Sequence, residues 1–169
     1  MKGNAIIRKM IESDIQHLSQ GFINQGWPGR EDNLTRYFKE QESGEREVLV
    51  AEVEGALAGY ITILSCAKQG PFAEIYPELS DFNVFEPFQN QGIGNLLLEE
   101  AEKQVRLISD KVTLGVGLHS GYGPAQRLYI KRGYIPDGTG VWYQNHQPAM
   151  NAVCEDIGEL VLYLSKNLS

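Results

Sequence analysis

The sequence predicts a mixed fold, α/β or α+β, in which one central sheet is flanked by helices. Three observations support this prediction. Apolar residues alternate with a period of two in some segments and recur at helical spacing in others. Segments of the two kinds follow one another in mixed order along the chain. Glycine and proline mark most of their boundaries, and no internal repeat or linker interrupts the series.

The first elements are a strand and two helices. Residues 5–8 alternate weakly and predict a short strand. Ser13 or Asp14 can cap a helix that ends near Pro28. Residues 30–41 predict a second helix. The apolar face of the first helix is expected to contain Ile15, Leu18, Phe22 and Ile23.

A hairpin and a further strand come next. Residues 48–54 and 57–66 predict two strands, and Gly55 supplies the turn between them. Residues 79–85 predict another strand, which Pro87 follows. The central part of the chain is therefore expected to form sheet.

The second half alternates between helices and strands. Residues 92–107 predict a helix, and the near-continuous apolar segment 112–118 predicts a strand buried on both faces. Pro124 begins another helix and Gly133 ends it. The buried stripe of the first of these helices is expected to be Ile93, Leu96, Leu97 and Ala101. The remaining segments are late strands at 141–143 and 160–164, separated by a polar, irregular loop at 145–158.

Length and composition exclude several classes of protein. A chain of 169 residues favours one domain spanning 1–169. Its net charge of −7 argues against a general partner of nucleic acid or of acidic membranes, and no apolar segment approaches the roughly 20 residues that span a bilayer. Two cysteines without a CxxC pair argue against a disulfide framework and a cysteine-rich zinc site, so no metal is expected. The expected location is cytoplasmic.

The most informative segment joins the strand at 79–85 to the helix at 92–107. It contains Gln89-x-x-Gly92-x-Gly94. The first N–H groups of a helix lack intrahelical partners, and glycines let a phosphate approach the backbone, so this pattern suits an anion. Two glycines at such a turn can also serve packing alone. The segment lacks the P-loop lysine and the first glycine of the dinucleotide fingerprint.

This segment resembles the acetyl-CoA-binding motif of the GNAT N-acetyltransferase superfamily. The motif is Gln/Arg-x-x-Gly-x-Gly/Ala after a strand that ends in valine. Here Gln89, Gly92 and Gly94 match it, and Val84 stands five residues before Gln89.

A second match lies downstream. Ala125-x-x-Leu128-Tyr129-x-x-x-Gly133-Tyr134 resembles the family's Asn-x-x-Ala-x-x-Leu-Tyr-x-x-x-Gly-Phe motif. The departures are tyrosine at 122, where the family has asparagine, and at 134, where it has phenylalanine. One helix and one strand separate the motifs, as in the family, so the resemblance covers essentially the whole chain.

The resemblance implies a GNAT fold, with a mostly antiparallel mixed sheet splayed at the cofactor site, and acetyl-CoA as co-substrate. The strand end at Val84 and Phe85 would pair with the pantetheine arm. Backbone N–H groups of the following loop would hold the pyrophosphate, namely those of Gln89, Asn90, Gln91, Gly92, Ile93, Gly94 and Asn95.

The resemblance also implies catalytic roles. Tyr129 matches the family's general acid, which would protonate the departing sulfur. Glu78 lies eleven residues before Gln89, where many members carry a glutamate that serves as general base. Asp81, Glu74 and His119 are further candidates for the base. In a regular strand the Asp81 side chain would point to the face opposite that of Glu78.

The implied reaction is direct attack on the thioester by a primary amine of a small molecule or peptide. No cysteine lies in the matching motifs, so a covalent acetyl-enzyme is not expected. The alternative is a non-catalytic domain of the same fold that binds or senses acyl-CoA. Many relatives dimerise through late strands, so the strand at 160–164 is a candidate homodimer surface.

Overall fold

The computed structural model describes residues 4–169, which form seven strands and four α-helices. In chain order these elements are β1 (Ala5–Lys9), α1 (Asp14–Asn24), α2 (Glu31–Ser43), β2 (Arg46–Val53), β3 (Ala56–Leu64), β4 (Glu78–Val84), α3 (Ile93–Arg106), β5 (Lys111–Gly117), α4 (Gly123–Lys131), β6 (Ile135–Tyr143) and β7 (Leu160–Asn167). Short 3₁₀ turns precede α3 and α4, at Glu86–Phe88 and Ser120–Tyr122. The expected mixed fold of strands and flanking helices is confirmed.

Among the described residues, the first of two compact units consists of 4–65 and 79–107. Its strands lie in the order β1-β2-β3-β4, and β1 and β3 both pair antiparallel to β2. Helix α2 packs on β2, α1 packs on α2 and β3, and α3 packs on β1, β2 and β3. The core on the α1 and α2 side joins Leu18, Leu34, Tyr60 and Phe85.

The hairpin between β2 and β3 shows why its turn could be predicted. Glu54 and Gly55 have φ of 50° and 83°, so both residues of the loop are left-handed. This conformation matches the twist of a two-residue hairpin. Val53 pairs with Ala56 directly across it.

The second unit consists of residues 66–78 and 108–169. Its strands lie in the order β5-β7-β6, and β7 pairs antiparallel to both neighbours. The segment before β4 is tied to β5, because Pro77 O accepts hydrogen bonds from Thr113 N at 3.1 Å and from Thr113 Oγ1 at 2.9 Å. The polar segment at 145–158 contains turns and one isolated bridge, from His146 to Tyr143.

Strand β6 is longer than the sequence predicts, since it begins at Ile135 rather than at residue 141. Its first half contains Pro136 and two left-handed glycines, Gly138 and Gly140, which disfavour regular strand. The register jumps between Pro136 and Val141, so a bulge absorbs the irregular residues.

Two expected core positions are wrong. Ile23 is 49% exposed and Leu96 is 39% exposed, whereas Leu98 and Val105 are fully buried. On α3 the buried stripe therefore includes Leu98 and Val105 and leaves out Leu96. Within residues 4–169, no helix is long and apolar enough to cross a membrane.

Candidate functional site

The loop between β4 and α3 has the backbone of an anion-binding turn. Asn90 and Gly92 have φ of 61° and 84°. A Cβ built on Gly92 would meet no atom within 4 Å, so the space beside this backbone is open. The first hydrogen bond of α3 runs from Leu96 N to Gly92 O at 3.2 Å, which leaves the preceding N–H groups outside the helical ladder.

Side chains of the loop hold it in place. Gln89 Nε2 donates to Val84 O at 2.9 Å, and Gln91 Nε2 donates to Pro87 O at 3.0 Å. Gln25, at the end of α1, accepts a hydrogen bond from Glu86 N. Side-chain amides of Gln25, Gln89 and Gln91 thus fix the loop.

The electrostatics of α3 suit a negative ligand at its N-terminus. The first turn contains no acidic residue, and the last turn contains Lys103 and Arg106. The helix dipole favours anions at the N-terminus, and nothing in this first turn competes for that position. A pyrophosphate therefore fits the left-handed turn, its backbone donors and the absence of a carboxylate there.

The resemblance implies that Phe85 pairs with the pantetheine arm, but its ring and its backbone N–H already have partners. Its ring is buried, lies edge-on to Phe22 at 5.1 Å and packs against the backbone of Gly21. Its backbone N–H donates to Ala58 O at 2.8 Å. Phe85 therefore anchors the strand end in the core, and its N–H is already engaged.

Tyr129 lies in α4, in the second unit. The helix ends in a Schellman motif, in which Gly133 has φ of 96° and the Tyr134 N–H donates to Tyr129 O at 3.0 Å. The Tyr129 side chain is 8% exposed and lies edge-on to Tyr134 at 5.8 Å. This burial raises the pKa of Tyr129 above its usual value, so the hydroxyl stays protonated at neutral pH.

Glu78 begins β4 and also belongs to the second unit, directly after the anchored Pro77. Its carboxylate affects the ionisation of Tyr163 of β7. Burial and then the negative charge of Glu78 raise the pKa of Tyr163 to about 12. The Tyr163 ring packs so closely on Gly70 that a Cβ there would lie 2.4 Å from it. Sequence reasoning did not identify Tyr163.

The other candidates for the base take part in local hydrogen bonds. His119 Nδ1 accepts a hydrogen bond from Gly121 N at 2.9 Å and so caps the 3₁₀ turn before α4. Glu74 has φ of 62° and its N–H donates to Ala67 O at 2.8 Å. Asp81 lies in the first unit and is enclosed by donors.

We call the group around this carboxylate the Asp81 cluster, which consists of Arg30, Tyr37, Tyr60, Asp81 and Asn83. Asp81 Oδ2 accepts hydrogen bonds from Tyr37 and Tyr60, both at 2.9 Å. Asp81 Oδ1 accepts from Arg30 Nη1 at 2.9 Å and from Asn83 at 2.7 Å, and Arg30 Nη2 lies 2.9 Å from Oδ2. A carboxylate offers about four lone-pair sites, so these five contacts leave none for a reacting proton.

The expected placement of Asp81 and Glu78 on opposite faces assumed a regular strand, and β4 is irregular at Asp81. Asp81 has φ of 49°, in the left-handed region that few residues other than glycine adopt. The alternation of side chains along the strand is interrupted there. No local sequence signal marks this point, and three of the donors come from other elements.

Four aromatic side chains have different surroundings. Trp27 is 61% exposed in the connection between α1 and α2, whereas Phe22 is buried in the core. Tyr37 belongs to the Asp81 cluster, and Trp142 lies edge-on to Tyr163 at 5.8 Å. Trp27 is therefore the most accessible of these four.

A groove of 580 Å³ lies within the first unit, among α1, the hairpin turn and residues 85–88. Its lining includes Ile11, Leu57 and Phe88, and also Arg8, which bonds to Asp14 and Glu52. No motif indicated this groove. In the part of the chain that the structure describes, no group of three or more His, Cys, Asp or Glu side chains could hold a metal ion.

The chain was compared with known families and sequences. The family profile described as "Acetyltransferase (GNAT) domain" matches residues 14–147, which include both motifs. No curated protein sequence matches the chain significantly.

Solved structures share the fold along almost the whole chain. The chain is similar to an N-acetyltransferase from Staphylococcus aureus Mu50, with 16% identity, a TM-score of 0.74, and coverage of 98% of this chain and 99% of that one. It is similar to YncA from Salmonella typhimurium, solved with its cofactor acetyl-CoA, with 20% identity, a TM-score of 0.70 and coverage of 98% and 94%. It is also similar to the ribosomal-protein-S18-alanine N-acetyltransferase from Escherichia coli, with 15% identity, a TM-score of 0.70 and coverage of 98% and 95%.

Proposed function

Since the chain belongs to the GNAT acetyltransferase family, we propose that it transfers an acetyl group from acetyl-CoA to the primary amine of a small molecule or peptide. The chain is a GNAT-type acyltransferase, as its two motifs predict. The observation that carries the proposed donor is the left-handed turn at Asn90 and Gly92, which leads into a helix without an acidic first turn. A relative of the same fold was solved with acetyl-CoA.

The residues of the turn provide the donors for the cofactor. Backbone N–H groups from Asn90 to Gly94 hold the pyrophosphate, whereas the Gln89 N–H already donates to Glu86 O at 3.2 Å; the backbone near Val84 orients the pantetheine arm. The side chains of Gln89 and Gln91 do not bind the cofactor in this proposal, because each already ties the loop to a carbonyl group. Acetyl-CoA supplies an activated acetyl thioester when bound.

Tyr129 donates the proton that the leaving sulfur requires. Its buried hydroxyl has a raised pKa and is therefore protonated over the whole neutral range. Tyr129 lies near the C-terminal end of α4, where the Schellman motif holds its backbone carbonyl. The helix end thereby fixes the backbone position from which the Tyr129 side chain extends.

Glu78 removes the proton of the attacking amine, directly or through a water molecule. Of the four acidic or basic candidates, it alone begins the strand whose end would orient the donor. The transfer is direct, so it needs no acetylated side chain as intermediate. The acceptor belongs to the class of primary amines.

Ligand-dependent unfolding tests the donor. A ligand that binds only the folded protein at about 100 times its Kd adds roughly 2.7 kcal/mol to the free energy of unfolding. We expect acetyl-CoA and CoA to raise the Tm and NAD to leave it unchanged. A shift with NAD and none with either CoA species would overturn the proposal.

Release of CoA thiol across a panel of amines then separates transfer from mere binding. We expect release to depend on at least one primary amine and to leave an acetylated product detectable by mass. Binding of acetyl-CoA without amine-dependent release across peptides, amino acids and polyamines would favour the non-catalytic sensor instead.

A further inference from the structure

Strand β4 is distorted at one residue, just before the end that would orient the donor. Asp81 has a left-handed backbone, yet it lies inside a strand between Ser80 and Phe82. Within a strand, a non-glycine residue keeps this conformation when surrounding contacts hold it there. The cause must therefore be sought in what surrounds the Asp81 side chain.

The Asp81 cluster supplies those contacts from three other parts of the first unit. Arg30 immediately precedes α2, Tyr37 lies within α2, and Tyr60 lies in β3. The side chain of Asp81 is 15% exposed. Charge-assisted hydrogen bonds are about twice as strong as neutral ones, so this partly buried carboxylate is a strong point of attachment for the strand.

The strand end is confined from the side of β3 as well. A Cβ on Gly59 would lie 2.3 Å from Asn83 O and 2.9 Å from Val84 Cα, so only glycine permits this approach. The Phe85 N–H donates to Ala58 O at 2.8 Å. Asn83 and Val84 therefore lie between two fixed points, the Asp81 carboxylate and the backbone of Ala58 and Gly59.

We propose that Asp81 is a positioning residue, whose hydrogen-bonded cluster fixes the backbone of residues 82–84 for binding of the pantetheine arm and which exchanges no proton in the reaction. This inference rests on the proposed function. It predicts that changes in α2 or β3, away from the anion-binding turn, weaken binding of CoA through the strand end.

Single-atom changes around Asp81 test the proposal. Tyr60→Phe and Tyr37→Phe each remove one donor and leave the carboxylate in place, and Asp81→Asn removes the charge at nearly constant shape. Loss of a hydrogen bond to a charged group is expected to weaken CoA binding about tenfold. We expect the Kd of CoA and the KM of acetyl-CoA to rise, while the pH profile of kcat keeps its shape.

Hydrogen exchange supplies a readout that needs no ligand. The Phe85 amide is protected by its bond to Ala58. We expect its exchange in free Tyr60→Phe and free Asp81→Asn to be about tenfold faster than in the wild type. Val105→Ala is the control, since it lowers the Tm by opening a cavity in the core beneath α3, which packs mainly on β1, β2 and β3.

The outcomes are distinct. Unchanged Kd, KM and Phe85 exchange in all three variants would overturn the proposal. Loss of the acidic limb of the kcat profile in Asp81→Asn, with CoA affinity intact, would also overturn it and make Asp81 the base. Faster Phe85 exchange in a protein whose wild type binds no CoA would reject the proposed function and, with it, the role in donor binding, but would retain Asp81 as the holder of the strand.

Discussion

Arg30 Nη1 donates a hydrogen bond to Asp81 Oδ1 at 2.9 Å across 51 residues of sequence, and Arg30 Nη2 lies 2.9 Å from Oδ2. Burial by itself would lower the pKa of Arg30, but the hydrogen bond and charge of Asp81 outweigh burial and raise it. Removing one partner of this partly buried ion pair would leave the other charge without its counterion. The pair is therefore best tested through its uncharged neighbours, Tyr37 and Tyr60.

Replacing Tyr129 by Phe is expected to lower kcat about 100-fold and to leave the Kd of CoA within a factor of two. The change removes the proposed proton donor and keeps the buried ring. Steady-state kinetics and calorimetric titration with CoA measure the two quantities. Tyr134→Phe removes a hydroxyl from the neighbouring ring and should retain most of kcat; equal turnover in wild type and Tyr129→Phe would reject the role of acid.

The Glu78→Gln variant is expected to lose kcat and to lose the acidic limb of its pH profile, because an amide cannot accept the amine's proton. A loss of about 100-fold is typical of a general base. Glu74→Gln is the matched control, since Glu74 lies in a turn of the same unit. A Glu78→Gln profile that coincides with the wild type would contradict the assignment.

Two glycines have the same backbone conformation, so replacing each one distinguishes the effect of backbone strain from a loss of ligand binding. Gly92 and Gly44 have φ of 84° and 82°, and a Cβ on either would meet nothing within 4 Å. Alanine at each should cost about 1–2 kcal/mol in free energy of unfolding, from the left-handed backbone alone. Only Gly92→Ala is expected to weaken CoA binding, because only Gly92 lies in the anion-binding turn. Equal CoA affinity in both variants would argue against that turn as the pyrophosphate site.

Alkaline pH is expected to destabilise the fold through its buried tyrosines. Burial, and then the charge of Asp81, raises the pKa of Tyr60; burial raises that of Tyr129. Burial and the charge of Glu78 raise the pKa of Tyr163 to about 12, whereas an unfolded tyrosine titrates near 10. Above pH 10 the unfolded chain thus loses protons that the folded chain retains. The free energy of unfolding should fall by at most about 1.4 kcal/mol per pH unit for each such tyrosine.

Urea unfolding between pH 9 and pH 11 measures this effect. The variant Tyr163→Phe should show a shallower fall than the wild type, because it lacks one of the titrating groups. Parallel curves for the two proteins would contradict a raised pKa for Tyr163.

Much of the candidate site could be predicted because its signals are local. Gly92 and Gly133 stand where a helix begins or ends with a left-handed residue, and both are left-handed in the structure. Between Gln89 and Gly94, the side chains of Gln89 and Gln91 donate to carbonyl groups only four or five residues away. The roles of Tyr129 and Glu78 rest on motif positions and stay predictions.

The distortion at Asp81 could not be predicted, because its cause is not local. Its donors include Arg30, Tyr37 and Tyr60, which lie 51, 44 and 21 residues away in sequence. The burial of Phe85 likewise depends on Gly21, which permits the close approach of α1. On α3, the exposure of Leu96 and burial of Leu98 depend on how the helix meets β1, β2 and β3.

The sequence by itself determined the family, the order of helices and strands, and the turn suited to an anion. These follow from periodicity, caps and glycine positions, which act within a few residues. Only the tertiary structure decided which carboxylate is enclosed and where β4 bends. Those features depend on side chains that are distant in sequence. Only folding brings them within hydrogen-bonding distance of Asp81.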